Sequence, residues 1–140
     1  MLERPVILCE ILLSLMLCAV AAHTEDSLLK TTRFDEFSKH WFDMLKSKGC
    51  YSKEHLCFIK DPSDPKRVIA EYREIKRIME KRVKKTASET VPYVGVLKYY
   101  VITYRARGDS KEAASKGKFK ITDQSITTEI FYYKNGAWVY

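Results

Sequence analysis

Asp64-Pro65-Lys66-Arg67-Val68-Ile69-Ala70-Glu71-Tyr72-Arg73-Glu74-Ile75-Lys76-Arg77-Ile78-Met79-Glu80-Lys81-Arg82-Val83-Lys84-Lys85 is the segment on which the architecture turns. Val68, Tyr72, Ile75, Met79 and Val83 recur at three- and four-residue spacing, with Ile69 and Ile78 at the margins, which is the period of a helix burying one stripe. Asp64 suits an N-cap and Pro65 the first helical position. The spacing therefore predicts a helix running to about Lys85.

Upstream, Phe34, Phe37, Trp41, Met44 and Leu45 share one face of another helical pattern, and Arg33, Asp35, Glu36, Lys39, Asp43 and Lys46 take the other. Thr32 with Asp35 forms a weak capping pair, and Lys46, Lys48 and then Gly49 suit the end, so a helix is expected from Thr32 to Lys48. Between the two helices, Leu56-Cys57-Phe58-Ile59 is a short apolar run closed by Asp61-Pro62-Ser63-Asp64-Pro65, and reads as a short strand.

Downstream the pattern changes. Val94 to Tyr104 is rich in β-branched and aromatic residues until Arg107-Gly108-Asp109-Ser110 interrupts it, which predicts a long strand sheltered on both faces. Lys111 to Lys116 reads as a loop or a single helical turn, and Gly117 to Asp123 and Ile126 to Lys134 as two more strands. Asn135-Gly136 before Ala137-Trp138-Val139-Tyr140 is a strong hairpin signal. The expected fold class is α+β: two helices packed on a bent antiparallel sheet of about four strands.

The N-terminus has the layout of a signal peptide. Arg4 precedes an apolar run from Val6 to Ala22, broken only by Glu10, and the small residues Ala19 to Ala22 suit cleavage after Ala22. An uncleaved anchor is the competing reading, but the run is at the lower limit for crossing a bilayer. Cleavage leaves one domain, residues 23–140, with 24 basic and 16 acidic residues, no membrane span and an extracellular destination. Cys9 and Cys18 leave with the leader, so Cys50 and Cys57 are expected to form one local disulfide. His55 between them suggests a metal, yet such a trio in a secreted loop is better explained by a disulfide beside a bystander histidine. Asn135 is the only asparagine and lies in no glycosylation sequon.

Chemistry-bearing motifs are sparse. The histidines are His23 at the cleavage site, His40 on a helix flank and His55 in the cysteine loop, and there is no phosphate loop, metal-spaced pair or nucleophile elbow. No catalytic residue, cofactor or metal is assigned. Lys76, Arg77, Lys81, Arg82, Lys84 and Lys85, against Glu80 alone, make a basic run that suits a sulfated polysaccharide or an anionic membrane surface better than nucleic acid. Its plainer account is a solvated helix face with positive charge at the negative end of the dipole. The nine tyrosines are read as cross-strand packing ahead of a stacking platform.

The element order and the ending Thr127-Thr128-Glu129-Ile130-Phe131-Tyr132-Tyr133-Lys134-Asn135-Gly136-Ala137-Trp138-Val139-Tyr140 resemble the SnoaL-like and nuclear-transport-factor-2-like superfamily. That resemblance implies a cone-like sheet over helices, a cavity lined by Trp41 and Tyr72, and pairing of two copies through an exposed sheet face. It implies a binding domain for a small ligand or an extracellular macromolecule, with an isomerase- or cyclase-like enzyme as the alternative. The isomerase members' catalytic Asp and Tyr have no counterpart at matching positions, and two helices stand where three are usual. Cystatins are similar in size and class, but their Gln-x-Val-x-Gly loop is absent.

Overall fold

The computed structural model describes the backbone of residues 6–140 and the side chains from Glu25 onward. The expected leader, 1–22, falls where residues 1–5 and the side chains up to residue 24 lie outside the described residues. The elements are α1 (Val6–Lys48), β1 (Cys57–Asp61), β2 (Asp64–Lys85), β3 (Tyr93–Gly108), α2 (Lys111–Ser115), β4 (Lys120–Lys134) and β5 (Ala137–Val139). All five strands form one antiparallel sheet in the order β1-β2-β3-β4-β5, curled into a half-barrel. The α+β class stands, with five strands in place of about four.

The principal correction is β2. Residues 64–85, expected to be helical, pair with β3 over almost their whole length, and Asp64 caps no helix: its Oδ1 accepts from the Lys66 amide at 3.1 Å within a hairpin turn. The helical spacing has a specific origin. Two bulges, between Ile75 and Arg77 and between Ile78 and Glu80, each insert one residue into the alternation. The apolar stripe in fact combines two faces: Val68 and Tyr72 pair with Gly108 and Tyr104 on the convex side, whereas Ile75, Ile78 and Val83 oppose Val101, Tyr99 and Gly95 on the concave side, with the bulges setting their spacing.

Other boundaries move for local reasons. α1 begins well before Thr32, whose hydroxyl donates to the Leu28 carbonyl at 3.1 Å inside the helix instead of capping it. It ends at Gly49 as expected, where a Cβ would lie 2.8 Å from the Leu45 carbonyl oxygen. The two strands expected over 117–134 are one, β4. Ser110 caps α2, accepting from the Ala113 amide at 3.1 Å. Asn135 (φ 50°) and Gly136 (φ 82°) turn β4 into β5, the left-handed pair that a two-residue hairpin requires.

β3 alternates strictly. Tyr93, Leu97, Tyr99, Val101 and Thr103 are buried on the concave face under α1, whereas Val94, Val96, Tyr100 and Ile102 are only half-buried on the convex face, correcting the expectation of shelter on both sides. α1 delivers Phe34, Phe37, Trp41, Phe42 and Leu45 to the concave face, where they meet Tyr99, Phe131, Tyr133 and Trp138. Ring pairs at 4.6–6.0 Å, such as Phe34–Trp138, Phe37–Phe131 and Phe42–Tyr99, fill that end of the half-barrel with aromatic side chains. α2 packs its buried Ala114 near β3, where a Cβ on Gly108 would meet the Ala114 amide nitrogen at 2.3 Å.

Candidate functional site

Beyond the end of α1, the concave face is no longer filled. A cleft of about 500 Å³ lies there, and its lining includes Tyr51, Glu71, Arg73, Thr103, Arg105 and Asp123. Strand pairing brings its charged groups together: Glu71 stands opposite Arg105, and Arg73 opposite Thr103, in one register block of β2 and β3. Alternation then turns Glu71, Arg73, Thr103 and Arg105 to the same side.

Glu71, 7% exposed, is held from two directions. Arg105 places Nε and Nη2 at 2.6 Å from Oε2, and Arg73 Nη2 lies 3.4 Å from Oε1. A carboxylate this far from water is tolerable because both oxygens face cations. Both guanidinium groups remain partly exposed to the cleft. A hydrogen bond with Tyr51, ahead of the Glu71 charge, holds Arg73 above the ordinary guanidinium value.

The disulfide loop sets Tyr51 in place. Cys50 follows α1, is bonded to Cys57 at the start of β1, and offers its carbonyl to the Arg73 amide at 2.6 Å. The Arg73 guanidinium then lies 5.8 Å from the centroid of the Tyr51 ring. Deeper in, Tyr99 donates to Glu129 Oε1 at 2.6 Å, and burial, followed by that hydrogen bond, drives its phenol far above its usual value. Glu129 Oε2 is buried with no hydrogen-bond partner among the described residues.

The residues singled out from sequence are dispersed. Trp41 belongs to the packed core, stacked on Tyr140 at 5.1 Å and edge-on to Phe131 at 5.1 Å. Tyr72 lies on the opposite, convex face, stacked on Tyr104 at 4.8 Å with Phe119 edge-on at 5.1 Å. The two therefore line no common cavity. Cys50 and Cys57 are bonded as expected.

The six basic residues lie along a strand and form no helix face. Lys76 pairs with Glu74 at 2.7 Å, Lys81 with Asp35 at 2.8 Å and Arg82 with Glu80 at 2.8 Å. Arg77 stands 6.0 Å from the Tyr100 ring centroid, and Lys84 and Lys85 lie at the exposed end of β2. His40 and His55 are exposed, and His55 Nδ1 lies 3.1 Å from the Ser52 hydroxyl. No group of three or more metal-ligating side chains is assembled among the described residues, nor is any helix among them long and apolar enough to cross a membrane.

The cleft residues were missed because a helical reading of β2 places Glu71 and Arg73 on different sides. The available signal was Arg105, which follows the apolar Tyr99 to Tyr104 run and whose charge beside that buried surface suits an acidic partner on the neighbouring strand. No family model, curated protein or solved structure matches the chain.

Proposed function

We propose that this chain is a secreted binding domain whose small, polar ligand occupies the concave cleft beyond α1. The observation that carries the reading is the abrupt change along one sheet face. Aromatic rings fill it as far as Tyr99, and an open cleft with a Glu71–Arg73–Arg105 cluster and hydroxyl-bearing walls follows. A few convergent polar groups in a concavity are the usual make-up of a ligand site. The binding reading is preferred to the isomerase-like one because Glu71 is engaged by two arginines and so is poorly placed to take a proton from a substrate.

The test is a titration of the labelled protein, followed by amide NMR shifts, with a panel of amino acids, dicarboxylates and monosaccharides. Shifts centred on Arg73, Thr103, Arg105 and Asp123, abolished by Thr103→Val or Arg105→Ala in a folded variant, support the reading. Shifts confined to other surfaces, or none across the panel, overturn it. Export is tested by the intact mass of protein from culture medium: a chain beginning at His23 with one disulfide is expected, and a cell-retained, uncleaved chain refutes secretion.

A second reading rests on the edge of β2 beyond Glu71, unpaired among the described residues, where six basic residues stand against one acidic residue from Lys76 to Lys85. Such an edge suits a sulfated polysaccharide through counterion release. Retention on immobilised heparin should weaken steeply with salt and fall when Arg77, Lys84 and Lys85 are neutralised. Elution at low salt removes this reading and leaves the cleft untouched.

A further inference from the structure

The two edges of the sheet are built differently. β1 covers β2 only from Asp64 to Glu71, so among the described residues the rest of β2 has no neighbouring strand. That edge carries the basic run and two bulges, both of which discourage pairing with another strand. β5 covers β4 only from Tyr132 to Lys134, leaving Lys120 to Phe131 without a neighbour on its outer side among the described residues. This second edge is unguarded. It has no Lys or Arg between Lys120 and Lys134, no Pro or Gly, and an unbroken register with β3 from Asp123 to Tyr133. Asp123 to Ile130 alone offers about 27 Å of continuous strand at about 3.4 Å per residue. Ile126 and Ile130 beside it are 51% and 48% exposed.

We infer that the β4 edge is a docking edge for a second copy of this chain, joined antiparallel through β4 to make one ten-stranded sheet. Charge selects this occupant. A β2 edge brought against another β2 edge would set one basic run on another. Two β4 edges run antiparallel instead set no basic run on another, since Ile121 to Tyr133 carries no Lys or Arg. The Ser125, Thr127 and Thr128 side chains supply the hydroxyl pairs that stabilise such ladders. Closure follows from the asymmetry, because pairing the two open edges leaves only the guarded β1–β2 edges outside and assembly stops at two.

The experiment combines mass by light scattering with amide hydrogen exchange, both across a concentration series of the purified chain. The expected result is a monomer-to-dimer transition accompanied by added protection of amides between Asp123 and Ile130. Ser125→Lys with Thr127→Lys, on the concave side of the edge, should leave a monomer with an unchanged circular dichroism spectrum. Val94→Thr with Val96→Thr, on the convex face of β3, should leave the dimer intact. A monomer at every concentration, growth beyond two copies, or a dimer without added β4 protection overturns the inference. So does a dimer lost to the β3 pair but kept by the β4 pair, which would indicate face-to-face packing. If the lysine pair does not fold, exchange on the unaltered chain still decides.

Discussion

Gly95 shows how one missing side chain sets the distance between helix and sheet. It lies on the concave face opposite Val83 and Phe131, and a Cβ there would sit 2.2 Å from Phe34 Cε2 and 2.5 Å from Cζ. Phe34 is 1% exposed and has no space to retreat. Gly95→Ala is therefore expected to destabilise the protein by about 1–3 kcal/mol, as overpacking does, measured by urea unfolding; an unchanged midpoint would mean that α1 adjusts freely. Tyr99 offers a second test. Its folded pKa is raised, so the unfolded chain releases this proton first, and the associated stability is present below the unfolded value of about 10 and lost as pH rises through it. In an ultraviolet titration of the folded protein Tyr99 should stay protonated after the exposed tyrosines have ionised, and Tyr99→Phe should leave the native alkaline titration curve unchanged while flattening the loss of stability above that pH.

At the scale of elements, two short connections fix the β1 side of the sheet beside the cleft. In the β1–β2 turn, Asp61 accepts from the Ser63 amide at 3.0 Å and the Ser63 hydroxyl at 2.7 Å, and Arg107 lies 2.9 Å away. Those hydrogen bonds, before the Arg107 charge, lower its carboxyl pKa. A depressed folded pKa stabilises above the unfolded value of about 3.9 and is lost as pH falls through the folded one. Asp61→Asn should accordingly lower stability at neutral pH and flatten its decline below about pH 4, read from thermal midpoints across a pH series. The Cys50–Cys57 bond closes a short loop worth about 2.5 kcal/mol by chain entropy. Replacing both cysteines with alanine should cost about that much and shift the amide signals of Tyr51 and Arg73, because the Cys50 carbonyl anchors the Arg73 amide; unmoved signals would show that the loop holds its place without the bond.

For the whole molecule, α1, β2, β3, β4 and β5 contribute side chains to a single, largely aromatic hydrophobic cluster that includes both tryptophans. If that shared cluster makes the chain unfold as one unit, Trp fluorescence and far-ultraviolet circular dichroism should give coincident unfolding curves, and separated midpoints would reveal a subdomain. The short β5 is part of that core, since Trp138 packs on Phe34 at 4.6 Å and on Tyr133 at 5.2 Å. The open cleft and the bare β4 edge are likewise properties of the assembled sheet: one exists because α1 stops at Lys48, the other because β5 is three residues long.

Local chemistry was legible in the sequence wherever neighbours in the chain are neighbours in space. The apolar stripe of α1 and its stop at Gly49, the Asn135-Gly136 hairpin, the long β3 strand and the Cys50–Cys57 pair all follow from period, turn chemistry or short separation. β2 was not legible, because apolar residues from its two faces, Val68 and Tyr72 on one and Ile75 and Val83 on the other, happen to fall at helical spacing, and only pairing with β3 gives that segment partners for its backbone. The same pairing sets Glu71 against Arg105 and turns Arg73 to the same face, sends Tyr72 to the convex face away from Trp41, and spreads the six basic residues along the edge of β2. Contacts between residues thirty or more positions apart depend on strand register, which the tertiary structure alone determines.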